Sequence, residues 1–254
     1  MINISYAFLV HNEAMDFKSN VSFIKEYLER GDEIVVVADN PTSEVITILN
    51  YFSDIIGDRF KVYHRNLNGN FGEQKNYLNS VCSGTYIFNI DADEIPSTTL
   101  INSLKDLLDQ NSRADVISVP RINIVYGITQ SHLDKWGWKL SSLKVEKLVS
   151  ANVFELSSPE FKLLQMNDLV KSIDKFEDNL YMVTYYDPII QFPDYQMRIY
   201  KNKKEIYWKN KVHEVLVGYK TISRIPGDIN KDLFLYHIKN ITKQEQQNNF
   251  YQTL

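Results

Sequence analysis

The chain has 254 residues, 44% of them hydrophobic and 24% charged, which is enough apolar material for one large globular domain. It has no uncharged apolar run long enough to span a bilayer, and its net charge of -4 with a pI near 5.8 excludes a global cationic field for nucleic acid. A single cysteine, Cys82, excludes an internal disulfide framework or a multi-cysteine zinc site, and its apolar neighbours are those of a buried thiol. Met1 to Val10 lacks the basic start and small-residue cleavage site of a secretory signal, so the expected location is cytoplasmic.

Along the chain, short β-rich runs alternate with amphipathic helical runs, which predicts an α/β fold with a parallel sheet covered by helices. Ile4 to Val10 reads as the first strand. Phe17, Val21, Ile24, Tyr27 and Leu28 then fall at helical spacing within Phe17 to Arg30, and Gly31 supplies a stop. Glu33 to Ala38 carries the continuous apolar run of a strand buried on both faces. Thr42 to Phe52 reads as a helix and Phe60 to His64 as a strand. After the turn residues Asn66 to Gly69, Gly72 to Val81 reads as a helix that Gly84 ends before the strand Tyr86 to Ile90. Pro96 to Gln110 reads as a helix capped by Ser97 or Thr98. From Asn123 to Ile190 the βα pattern stops, and this stretch, with Trp136, Trp138 and Pro159, reads as an insertion with helices. Asp194 to Tyr200 and Glu205 to Val217 are strand-like, and Gln244 to Gln252 has the polarity of a surface helix. No internal repeat or linker divides the chain.

Asp91, Asp93 and Glu94 follow a strand of apolar and aromatic residues, so they emerge at a carboxyl end, where open α/β sheets place their ligand crevice. Asp91 and Asp93 are two apart. In extended chain their carboxylates point the same way and can share one hard cation, Mg2+ or Mn2+. The same acids also suit the cap of a helix beginning near Pro96, and spacing alone leaves both readings open.

The succession Phe71-Gly72-Glu73-Gln74-Lys75-Asn76, Ser83-Gly84-Thr85-Tyr86-Ile87-Phe88 and Asp91-Ala92-Asp93-Glu94 resembles family 2 glycosyltransferases. These are enzymes of the GT-A fold, a Rossmann-like, mixed but mostly parallel sheet flanked by helices, here expected to carry a helical insertion. The resemblance implies that Asp93 binds the metal directly and that Asp91 contacts the donor ribose, or the metal through water. It places Lys75 near the donor phosphates, although as a residue alone Lys75 reads equally well as a solvated helix charge. Val10-His11-Asn12-Glu13 and Asp39-Asn40-Pro41-Thr42-Ser43 follow the first two strands, where similar enzymes read the nucleoside. Asp39 is then expected to accept hydrogen bonds from base or ribose, with Glu13 at the edge of the same pocket. Asp39 and Asn40 are also ordinary turn residues. Ala38 and Pro41 stand where the family often has an acid and a Gly, a departure that bears on base identity.

Phe192-Pro193-Asp194-Tyr195-Gln196-Met197-Arg198-Ile199-Tyr200, followed by Ile206-Tyr207-Trp208-Lys209-Asn210-Lys211-Val212-His213-Glu214, resembles the acceptor-side half of a bacterial and phage-encoded subgroup with a Val-His-Glu motif. By similarity His213 is a metal ligand, and neutral imidazole suits manganese. An inverting transfer needs a base at the acceptor hydroxyl; Asp194 is the first choice and Glu214 the second, and either also suits a structural salt bridge. Arg198 either screens diphosphate charge or pairs with a carboxylate. His237 resembles a histidine near the carboxyl end of the subgroup.

The resemblance spans residues 2–120 and 190–240. It implies one GT-A domain over 1–254, made of a nucleotide-sugar half (2–120), an acceptor-side insertion (121–190) and an acceptor and metal half with a terminal helix (191–254). Trp136 and Trp138 in the insertion suit stacking on an acceptor as well as packing. The expected activity is metal-dependent, inverting transfer of a sugar from a nucleoside diphosphate sugar, a UDP-sugar being the expected donor. The acceptor hydroxyl belongs to a glycan, a protein or a modified DNA base. Two alternatives stand beside it. A nucleotidyltransferase acting on sugar phosphates would carry a Gly-rich phosphate loop, which Leu9 to Met15 lacks. A noncatalytic sugar-nucleotide-binding module would hydrolyse no sugar nucleotide.

Overall fold

The computed structural model describes residues 2–150, 170–177, 180–228 and 231–251, so Pro159 lies outside the described residues. The first half is an alternating run of β1 (Ile4–Val10), α1 (Ala14–Ile24), β2 (Glu33–Ala38), α2 (Ser43–Ile56), β3 (Phe60–His64), α3 (Phe71–Val81) and β4 (Tyr86–Asn89). The four strands lie in the order β3-β2-β1-β4 and are parallel, with Phe8 opposite Val36 and Ser5 opposite Ile87. Successive side chains of a strand point to opposite faces, and each face has its own core. Tyr6, Phe8, Val36 and Phe88 meet Phe17 and Phe52 on one side, while Ala7, Val35, Val37 and Ile87 meet Leu78, Tyr200 and Trp208 on the other.

Beyond β4 come β5 (Glu94–Pro96), α4 (Thr98–Gln110), β6 (Val116–Tyr126), α5 (Gln130–Trp136), β7 (Leu140–Ser150), β8 (Val170–Glu177) and β9 (Leu180–Lys201). The chain ends with β10 (Tyr207–Lys209), β11 (Val215–Val217), β12 (Ile222–Arg224), β13 (Leu235–Asn240) and α6 (Ile241–Tyr251). The end of β9 runs antiparallel to β4, Phe88 facing Ile199, and makes the sheet mixed. Two compact units result, one of residues 1–121, 193–237 and 249–254, the other of 122–192 and 238–248. Among the described residues no helix is long and apolar enough to cross a membrane.

Three local expectations are corrected. The segment from Pro96 does not open a helix: Pro96 ends β5, because a residue before proline, here Ile95, is driven to extended backbone. Ser97 is the cap, its hydroxyl accepting from the Leu100 amide at 3.1 Å. Gly84 does not stop α3, which ends at Val81; a Cβ at Gly84 would lie 2.6 Å from the Ser5 amide nitrogen, so a bare backbone is needed where β1 passes. The expected helical insertion holds one short helix, α5, among its described residues. Most of its other described residues are antiparallel strand, with Leu143 opposite Asp187 and Ser172 opposite Thr184, as the β-branched and aromatic content of Tyr181 to Ile190 favours once partners are available.

Candidate active site

The loop after β4 is held by its backbone before any side chain acts. The Ile90 amide donates to the Ala7 carbonyl at 3.0 Å, the Glu94 amide to the Asp91 carbonyl at 2.9 Å, and the buried Asn20 of α1 donates its Nδ2 to the Ala92 carbonyl at 2.8 Å. Asp91 and Asp93 are thereby presented at the carboxyl edge of the parallel strands.

From that loop an alternating chain of charges runs through the first unit. Glu94, with a side chain 0% exposed, accepts at Oε1 from Arg121 Nη1 (2.7 Å) and Arg198 Nη2 (2.6 Å). Arg198 also donates to Asp91, and Arg121 donates through Nε (2.9 Å) and Nη2 (2.6 Å) to Oδ2 of Asp194, whose Oδ1 accepts from Gln196 at 2.7 Å. Buried charges persist only when paired in this way. Burial alone would raise the Asp91 pKa, but Arg198 and then Lys75 outweigh it and hold the carboxyl down to about 2. Burial would lower Arg121, and Glu94 and Asp194 raise it instead. Asp91 keeps 40% of its side chain accessible, so it is ionised and reachable together.

Lys75 is not the solvated helix charge that its position on α3 allowed. Its side chain is 9% exposed, with Nζ 3.2 Å from Glu214, 3.9 Å from Asp91 and 4.6 Å above the Trp208 ring. The β10–β11 hairpin that brings Trp208 and Glu214 is fastened to α3. Asn76 donates to the Trp208 carbonyl (2.8 Å) and accepts from its amide (2.7 Å), and the Phe71 amide donates to the Lys211 carbonyl at 2.8 Å. A Cβ at Gly72 would come 2.4 Å from the Asn210 carbonyl oxygen, so only glycine permits this approach.

His213 lies at the tip of the hairpin with φ of +51°, its carbonyl accepting from Asn210 Nδ2 at 3.4 Å. The imidazole that faces Asp93 is His237, with Nε2 3.5 Å from Oδ1, placed there because β13 pairs His237 with Glu94 of β5. Among the described residues no three His, Cys, Asp or Glu side chains are gathered closely enough to hold an ion. The donor types nevertheless fit a hard or borderline cation: an ionised, accessible Asp91, then Asp93 with an imidazole nitrogen beside it.

Glu13 and Asp39 stand on neighbouring loops, joined by the His11 ring nitrogen 2.6 Å from the Asp39 carbonyl oxygen. Glu13 Oε2 accepts from the amides of His11 (2.9 Å) and Asn12 (3.1 Å), and Asp39 Oδ1 accepts from the Leu67 amide (3.0 Å). In the second unit Trp136 and Trp138 contact each other at 4.8 Å between ring centroids, and Trp138 packs against Val125, Leu133 and Ile190. Sequence reading missed Arg121. Its signal was a charge directly after Pro120 within an otherwise uncharged, mostly apolar run, Val116 to Val125, where a lone arginine needs a partner.

Residues 9–155 match the family model described as glycosyl transferase family 2. The chain belongs to that family. Solved structures similar to this family 2 chain include S. aureus TarS 1-349, at 14% identity and TM-score 0.53, covering 94% of this chain and 60% of that one. The same TarS fragment in complex with UDP matches at 14% identity and TM-score 0.54, with the same coverage. In complex with UDP-GlcNAc it matches at 13% identity and TM-score 0.51, covering 94% of this chain and 59% of that one. The chain therefore spans about 60% of the TarS fragment's length. No curated protein matches it by sequence. The mixed, mostly parallel sheet flanked by helices is the GT-A fold.

Proposed function

We propose that this family 2 chain transfers a sugar from a UDP-sugar to a hydroxyl acceptor, with inversion. The observation that carries the reading is the charge chain from Lys75 and Asp91 through Arg198, Glu94 and Arg121 to Asp194, which joins a donor-side carboxylate to a candidate base within one unit. The complexes of TarS with UDP and UDP-GlcNAc support uridine as the nucleoside. Asp91 and Asp93 would hold Mn2+ or Mg2+, which when bound offsets the negative charge that builds on the departing diphosphate. Lys75 adds a fixed positive charge on the same side, screened from water by Trp208 and poised by Glu214. Asp39 and Glu13 border the nucleoside, and Arg198 sets the position of Asp91. Asp194, oriented at both oxygens, takes the acceptor proton; Glu214, already bound to Lys75, serves the donor side.

Calorimetry of UDP with and without Mn2+ tests this. Mn2+ should tighten UDP binding to the wild type, and Asp93→Ala should remove that gain. The contact with Asp93 supports His237 as the imidazole at the ion, and the family resemblance supports His213. We expect His237→Ala to lose more of the Mn2+ effect than His213→Ala; a wild-type effect in His213→Ala excludes that residue as a ligand. If Mn2+ leaves UDP affinity unchanged in the wild type, the metal assignment fails. If no UDP-sugar is hydrolysed in the presence of Mn2+, the chain is a binding module.

A further inference from the structure

We propose that Arg121 is a positioning residue that acts through Asp194, and that Glu94 ties it to the donor-side acid loop. The inference rests on the reading of Asp194 as the base. Arg121 is built for aim. Nε and Nη2 both address the same oxygen of Asp194, at 2.9 and 2.6 Å, while Nη1 reaches Glu94 at 2.7 Å. A planar guanidinium cannot turn without giving up one of these bonds, so Oδ2 of Asp194 is fixed in place, and with Gln196 on Oδ1 the carboxylate is fixed in rotation too. Gln196 holds the other oxygen, and its own backbone lies only two residues from Asp194.

Glu94 extends the same aim to the opposite side of the site. Its Oε1 is shared by Arg121 and Arg198, and Arg198 holds Asp91. The Glu94 Oε2 also accepts from the Asp91 amide at 3.3 Å. A displacement of the acid loop is thus passed to the base through the buried Arg198 and the partly buried Arg121 rather than through a flexible surface contact. With only 17% of its side chain exposed and all three donor atoms directed at carboxylates, Arg121 is placed to orient the base rather than to contact substrate.

The test is a double-mutant cycle of Arg121→Gln and Asp194→Asn. The readout is Mn2+-dependent hydrolysis of whichever of UDP-glucose, UDP-galactose and UDP-GlcNAc the wild type hydrolyses fastest, with the UDP Kd from calorimetry beside it. Arg121→Gln should lower kcat by about a hundredfold, the lower end of base catalysis, and leave the Kd within about twofold. In the Asp194→Asn background the same change should cost little more, since its effect has already been removed. Arg121→Lys keeps the buried charge and so folds even where the glutamine does not. Lacking the fork, it should restore only part of kcat at unchanged Kd, and it carries the cycle if needed. Multiplicative losses from the two sites, full turnover in Arg121→Lys, or a Kd that rises as kcat falls would each overturn the inference while leaving Asp194 as the base. Near-normal turnover in Asp194→Asn, or none in the wild type, would sink the base reading itself, and this inference with it.

Discussion

The acids after β1 and β2 and the acids after β4 occupy the same edge of one parallel sheet, yet they are held in opposite ways. Glu13 and Asp39 are satisfied by loop amides, those of His11, Asn12 and Leu67. Asp91 and Glu94 are satisfied by Arg198, 107 and 104 residues away, and Glu94 also by Arg121, 27 residues away. A loop carboxylate that accepts from backbone amides, of its own turn for Glu13 or of the loop after β3 for Asp39, costs little to keep and can exchange an amide for a ligand. A run of alternating charges costs desolvation at its buried members, here Glu94 and Arg198, and such arrangements concentrate at functional sites. The first region is therefore suited to reading a nucleoside with modest energies, and the second to holding charge in fixed geometry during reaction.

That contrast can be broken in several places. The largest effect is expected at the far end of the charge chain, where Asp194→Asn should lose about a hundred- to ten-thousand-fold in turnover with UDP affinity retained. Glu214→Gln should lose less; an inactive Glu214→Gln beside an active Asp194→Asn would exchange their roles. Next is Glu94→Gln, which leaves two guanidinium groups short of a partner and should cost about 3–5 kcal/mol of stability in urea unfolding. A cost below about 1 kcal/mol, the scale of a surface pair, would show that the network does not hold the loop.

In the region held by loop amides, Asp39→Ala should raise the UDP Kd by about tenfold, the equivalent of one charge-assisted hydrogen bond. An unchanged Kd would leave Asp39 as the residue that fastens the Leu67 turn and nothing more. The smallest effect belongs to Asp91, whose folded pKa of about 2 lies below the ordinary carboxylate value. A depressed carboxyl contributes in full above the unfolded pKa and loses that contribution as pH falls through the folded one. Wild type and Asp91→Asn should therefore differ in melting temperature by a constant amount above about pH 4 and converge toward pH 2. A gap that widens on acidification would mean that Arg198 does not hold the ionised form.

Several features were legible because they depend on neighbours in sequence. The alternation of β1 to α3 follows from apolar periodicity, and a cap at Ser97 or Thr98 and the acids at the end of β4 from residue order. The stretch from 121 to 190 was not legible in this way. Its Leu-rich and aromatic runs fit helix or strand when read alone, and strand partners outside each run settled the matter for the described residues.

By itself, then, the sequence determined the parallel βα frame and the place of Asp91, Asp93 and Glu94 at a strand's carboxyl end, since helix and strand periods and caps act over a few residues. Only the tertiary structure decided which cation each acid meets. It buried Lys75 against Trp208 and Glu214, put His237 beside Asp93, and made Arg121 the link between Glu94 and Asp194. The physical reason is that a buried charge is placed by the partner that offsets its desolvation, and here those partners arrive from strands and loops far apart in the chain.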